Sequence, residues 1–180
     1  GDLRHEQPQP EQHAFAERQY TALTSVPLPT LGPQYFPVPN GDPEALDRVV
    51  REYDPKGKVV WEAKAPHMPF TAIRLPDGNT LIGCTLGNLV IEVDKDGKEV
   101  WRVTNEDLTN KPINDACGVQ RLDNGNTVIT SHHATANQVK LLEVTRDKKV
   151  VWTYTDDRRA GIHHFQILDE KGKPGKNSLR

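Results

Sequence analysis

The sequence is poor in several features that would assign a class at once. It has 2 cysteines in 180 residues and no CxxC pair, which excludes a thiol redox motif or a cysteine zinc knuckle and permits one disulfide at most. No stretch approaches the roughly 18 consecutive apolar residues of a membrane helix, so no membrane span is expected. No basic stretch followed by an apolar run opens the chain, so any secretory signal is expected to have been removed already. Charge of one sign is also lacking. Lys and Arg total 23 against 25 Asp and Glu, a net charge of −2, which argues against nucleic acid as the partner because phosphate binding calls for a basic excess. The length fits one ordinary domain, and a mean hydropathy of −0.68 is polar for a globular chain.

What is present divides near residue 48. Eight of the 14 prolines fall before it: Pro8, Pro10, Pro27, Pro29, Pro33, Pro37, Pro39 and Pro43. Proline removes a backbone donor and restricts the residue before it, so residues 1–48 read as an extended, proline-rich leader or arm. A turn or two of helix is expected at 13–21, and Asp42 with Pro43 forms a helix-start signal leading into a strand. From residue 49 onward, short runs of Val, Ile, Leu, Thr and Trp alternate with polar residues. They are separated by Asp77-Gly78, Asp96-Gly97 and Asn124-Gly125, dipeptides that accept positive φ in hairpin turns.

This second part repeats. VVREYDPKGKVVW (49–61), LVIEVDKDGKEVW (89–101) and VKLLEVTRDKKVVW (139–152) each carry an early glutamate, a polar turn and a closing Val-Trp. All 3 tryptophans (Trp61, Trp101, Trp152) share one repeat position, as residues packed between repeats would. A second element follows each copy: AIRLPDGNTLIGC (72–84), GVQRLDNGNTVIT (118–130) and a degraded HFQILDEKGKPGK (164–176). Gly78, Gly125 and Gly172 are spaced by 47 residues. A period of 40–50 residues with period-2 alternation predicts an all-β propeller of four-stranded antiparallel blades and excludes helical solenoids.

LPDGNTLI (75–82) together with EVDKDGKEVW (92–101) resembles the blade motif of the pyrroloquinoline-quinone-like and arylsulfotransferase-like β-propellers, over residues 49–180. The resemblance implies inner strands A at 70–75, 117–122 and 163–168, and strands B at 79–84, 126–131 and near 173–178. It implies strands C at 49–54, 89–94 and 139–145, and outer strands D at 58–63, 98–103 and 149–154. That makes two complete blades, an N-terminal C–D pair and a C-terminal A–B pair, about three blade-equivalents. Closed propellers usually have four to eight. Either the chain is a piece of a longer propeller, or a second copy completes a six-bladed ring as a homo-oligomer, or a separate chain carries the remaining blades. The resemblance also implies a secreted or periplasmic location.

In such a blade the D–A and B–C connections lie on one face. They carry His67, Asn114, Asp115, Cys117, His132, His133, His163 and His164, which include five of the 7 histidines. A site at the channel mouth is therefore expected, with His67, Asp115, Cys117, His132 and His133 as ligand-binding candidates. Histidine serves there as base, nucleophile or ligand. Arylsulfotransferases of this type use a channel histidine that accepts a sulfuryl group. By that resemblance His163 or His164 becomes the nucleophile, and Arg158 and Arg159 hold the anion. Quinone-dependent relatives use adjacent cysteines, which are absent here. No cofactor and no metal are expected: Asp94-Lys95-Asp96-Gly97 lacks the rest of a calcium loop and reads as a hairpin. Cys84 and Cys117 are expected to be free, buried thiols. The function expected is a binding module for a small molecule or protein, with a sulfotransferase-like enzyme and a structural assembly subunit as alternatives.

Overall fold

The computed structural model describes residues 22–25 and 48–168. Eleven strands form three antiparallel sheets among these residues. The first contains β1 (Ala22–Ser25), β2 (Val49–Tyr53) and β3 (Val59–Lys64), in that spatial order. The second runs β4 (Pro69–Arg74), β5 (Thr80–Cys84), β6 (Leu89–Val93), β7 (Glu99–Thr104). The third runs β8 (Val119–Arg121), β9 (Thr127–Thr130), β10 (Val139–Val144), β11 (Val150–Thr155). Each consecutive pair in the two four-stranded sheets is a hairpin, so the chain meanders outward from A to D.

The burial of the middle strands explains how the sheets stack. All residues of β5 and β6 are buried, which a sheet with one wet face does not allow. Their side chains alternate between two apolar clusters. Leu81 and Val90 meet Val119, Ile129, Leu142 and Val144 of the third sheet. Ile82, Leu89, Ile91 and Val93 meet Val50, Ala63 and Ala65 of the first. The second sheet is thus covered on both faces, as in a propeller-like stack. The outer strands β3, β7 and β11 leave Val60, Val100 and Val151 exposed.

The hairpin glycines do what their sequence positions require. Gly78 (φ 91) and Gly125 (φ 86) occupy the left-handed region, closing turns through Gly78 N–H to Leu75 O (3.0 Å) and Gly125 N–H to Leu122 O (3.0 Å). Lys148 takes the same role with φ 62.

Neighbouring sheets are clasped by a repeated arrangement. Arg74 Nη2 donates to Glu52 at 2.5 Å while its guanidinium lies 4.3 Å from the Trp61 ring centroid, and the Trp61 indole donates to Lys95 O at 2.8 Å. One sheet on, Arg121 donates to Glu92 at 2.6 Å and lies 5.0 Å from Trp101, whose indole donates to Arg146 O at 2.8 Å. Arg146 and Asn79 also bond Glu92, which is 2% exposed. In the third copy of the sequence repeat Ile167 replaces the arginine. Glu143 accepts only from Asn126 (2.6 Å), and Trp152 is 43% exposed with no partner for its indole among the described residues.

One expectation is refined and one corrected. Residues 22–25, within the segment read as an extended leader or arm, form β1, which pairs with β2 (Ala22 opposite Tyr53, Ser25 opposite Val50) and runs close to β4. The inner strand expected at 163–168 forms no ladder and retains only a bridge at Leu168. Its backbone is instead held by a side chain: Ile167 N–H donates to Gln120 Oε1 at 2.9 Å. The helices expected at 13–21 and before residue 48, and the strand near 173–178, lie outside the described residues.

Candidate functional site

The B–C connection of the third sheet is built by short polar contacts. Ser131 Oγ donates to Pro112 O (2.8 Å) and accepts from Asn114 N–H (3.2 Å), tying the connection 131–138 to the loop before β8. His132 and His133 N–H then donate to Asp115 O and Asn114 O, each at 3.1 Å. Asp115 is itself fixed. Its backbone has φ 60, its N–H donates to Asn88 Oδ1 (2.7 Å) and its Oδ1 accepts Leu86 N–H (2.8 Å). The remaining oxygen lies 2.5 Å from His133 Nδ1. Asp115 is buried while the His133 side chain is 60% exposed, so an oriented imidazole faces solvent.

The segment after β11 brings the second histidine pair to the same place. Gly161 makes this possible: a Cβ there would sit 1.9 Å from His132 O, so only glycine lets the two backbones pass. His163 meets His132 edge-on at 4.4 Å between centroids and meets Phe70 edge-on at 4.4 Å. His164 lies 4.8 Å from His163 and 5.7 Å from Phe70, and His132 lies 4.9 Å from His133. Five rings from β4, the β9–β10 connection and the post-β11 segment therefore touch in one cluster. Burial, and the neighbouring His132 and His164, lower the pKa of His163 below the ordinary imidazole value, so it is neutral at pH 7. His132 Nδ1 is buried with no partner among the described residues.

The other candidates stand apart from the rings. His67 packs its ring against Gly87. Cys84 and Cys117 are both free and buried. Burial pushes the Cys84 thiol up to about 12 and raises Cys117, so neither is a thiolate at neutral pH. Arg158 is committed elsewhere: its Nη2 donates to Asp156 at 2.5 Å and its Nε to the same carboxylate at 2.9 Å. Asp156 also accepts from Lys140, a fully buried ammonium, and these two cations hold its carboxyl well below the usual range. Arg159 is exposed. Among the described residues no three His, Cys, Asp or Glu side chains are disposed to hold one metal ion, and no helix is long and apolar enough to cross a membrane.

Phe70 is the member that sequence reasoning missed. Its signal was the repeat itself, since Phe70, Cys117 and His163 occupy the same position at the start of successive strand-A segments.

No protein-family model and no curated protein matches the chain. Among solved structures it is similar to a protein of unknown function from Bacteroides caccae, at 23% identity and a TM-score of 0.58, over 66% of this chain and 46% of that one. It is also similar to streptogramin B lyase, at 17% identity and a TM-score of 0.51, over 70% of this chain and 40% of that one. The chain spans less than half the length of either. These likenesses establish the fold as β-propeller-like.

Proposed function

We propose that the chain is a binding module of a β-propeller whose histidine-rich connection face takes a small molecule or a protein. The observation that carries this reading is the contact cluster of Phe70, His132, His133, His163 and His164, with His133 oriented by a buried, triply held Asp115. Imidazole and phenyl rings offer apolar faces, and the imidazoles add nitrogens that form hydrogen bonds. The buried, unpartnered His132 Nδ1 is a polar group whose desolvation a ligand can offset. The proposal is tested by following histidine imidazole ¹⁵N resonances while a fragment library is added. Fragments that bind should shift His133 and His163 and lose affinity in His133→Ala and His164→Ala. Binding that leaves those resonances unmoved overturns it.

A second reading is favoured by the Asp115–His133 pair, which has the base-and-orienter geometry of an acid–base catalyst. Its sulfotransferase-like version is weakened by the engagement of Arg158 with Asp156, which leaves Arg159 as the anion-holding candidate. Release of 4-nitrophenol from 4-nitrophenyl sulfate, with the sulfuryl group passing to an added phenol, that disappears in His133→Gln and in His163→Gln or His164→Gln would put this reading first.

The kinship with pyrroloquinoline-quinone-like and arylsulfotransferase-like propellers, the secreted or periplasmic location and the division at residue 48 belong to the same proposal. So does the completion of the ring by a second copy or another chain. The exposed Trp152 supports completion, because the indoles of Trp61 and Trp101 each donate to a turn carbonyl of the neighbouring sheet.

A further inference from the structure

Seven non-glycine residues among those described have positive φ, and their distribution is uneven. Four of them, Asn88 (φ 50), Asn110 (φ 62), Lys111 (φ 45) and Asn137 (φ 63), line one cavity of about 470 Å³ between the second and third sheets. Left-handed backbone costs a side-chain-bearing residue about 1 kcal/mol, and such positions concentrate where a site is held in shape. The volume lies within the roughly 300–1,000 Å³ of small-molecule sites.

The lining has a consistent chemistry. Asn105 spends its amide on the loop, accepting Ile113 N–H at 2.9 Å and donating to Ile113 O at 2.7 Å. The other amides are left partly or wholly available. Asn88 uses only Oδ1 (on Asp115 N–H), Gln138 only Oε1 (on Thr135 N–H), and Asn114 only Nδ2 (on His133 O). Among the described residues the side-chain amides of Asn110 and Asn137 engage no partner. Lys111 is neutralised by Glu106 at 2.6 Å, so the lining has no unbalanced charge for an ion to meet. Ile113 and Ala134, both buried, supply an apolar floor, and no aromatic ring is present to stack on a planar ligand.

We infer that this cavity is a binding site for a neutral polyhydroxylated ligand, a sugar or its close kin. Hydroxyl groups donate and accept at once, which matches carboxamides that do the same, while Lys111, already paired with Glu106, leaves an anion no free counter-charge. The cavity shares no ring with the cluster, but its Asn88 and Asn114 bond the backbones of Asp115 and His133, so the two readings are told apart by their variants, at Asn110 and Asn137 here and at His133 and His164 above.

The test uses the full chain labelled with ¹⁵N, a panel of glucose, galactose, mannose, N-acetylglucosamine and their disaccharides, and glucose 6-phosphate as the anionic probe. At least one neutral sugar should shift the side-chain amide resonances of Asn110 and Asn137. Asn110→Gly and Asn137→Gly keep the left-handed backbone while deleting the amide. Each should weaken that sugar about tenfold, the size of one or two lost hydrogen bonds, with the melting temperature unchanged. The inference is overturned if no sugar moves these resonances, if affinity survives both substitutions, or if the phosphorylated sugar binds more tightly than the neutral one.

Discussion

At the scale of single residues, one half-buried imidazole and one buried carboxylate set the chemistry. His163 has its pKa lowered by burial and by the two imidazoles beside it. A base whose folded pKa lies below its unfolded value binds fewer protons when folded. Its contribution to stability is therefore complete above about pH 6.5, the unfolded imidazole value, and is lost as pH falls toward the folded value. Urea denaturation of the wild type should show stability dropping as pH falls below about 6.5, and His163→Gln should flatten that slope. Glu92 behaves differently. It is 2% exposed and takes Arg121, Arg146 and Asn79 at once, while burial, and the Arg146 charge beside it, lower the pKa of Arg121. Glu92→Gln should cost about 3–5 kcal/mol in chemical denaturation, because Arg121 then remains buried without its counter-charge. A loss below about 1 kcal/mol would mean that the pair is solvated.

At the scale of elements, local sequence governs hairpins and distant chain governs edges. Gly125 sits at φ 86 with nothing within 4 Å of where a Cβ would be built, so Gly125→Ala should lose about 1 kcal/mol through backbone conformation alone, read from a shift in denaturation midpoint without a change in slope. The hairpins were legible because a turn and its two strands lie within a dozen residues. Ten of the strands fell where the repeat put them for that reason. β1 was not legible. ALTS lies among prolines, and its partner Val49–Tyr53 is a non-local choice made by the open edge of β2. Truncation of residues 1–47 should uncover that edge and produce concentration-dependent association in sedimentation velocity. A truncated chain that stays monomeric and equally stable would show that β1 adds nothing.

At the scale of the whole molecule, the stack has unlike ends. One end is closed on its edge by β1. The other presents Trp152 to solvent, where the first two sheets place a neighbour's arginine and turn carbonyl against Trp61 and Trp101. If a second copy covers this face, light scattering behind a sizing column should give a mass near twice 20.2 kDa, and Trp152→Lys should return it to the monomer. A monomeric wild type would turn the search toward a separate chain carrying the remaining blades.

The sequence by itself determined the all-β class, the strand pairs, the turn glycines and the shared position of the tryptophans. Those features are written in period-2 alternation and in a repeat whose contacts are local. It also assigned five of the 7 histidines to one face, because the up-and-down order of strands puts alternate connections at the same end. Only the tertiary structure decided which side chains meet. It joined Phe70 to the imidazoles, tied Asp115 to His133 across 18 residues and spent Arg158 on Asp156. It also assembled the amide-lined cavity from three connections distant in the chain. Contacts of that kind depend on how far one sheet is turned against the next and on backbone passing within contact distance at Gly161, and neither quantity has a periodic trace in a single chain.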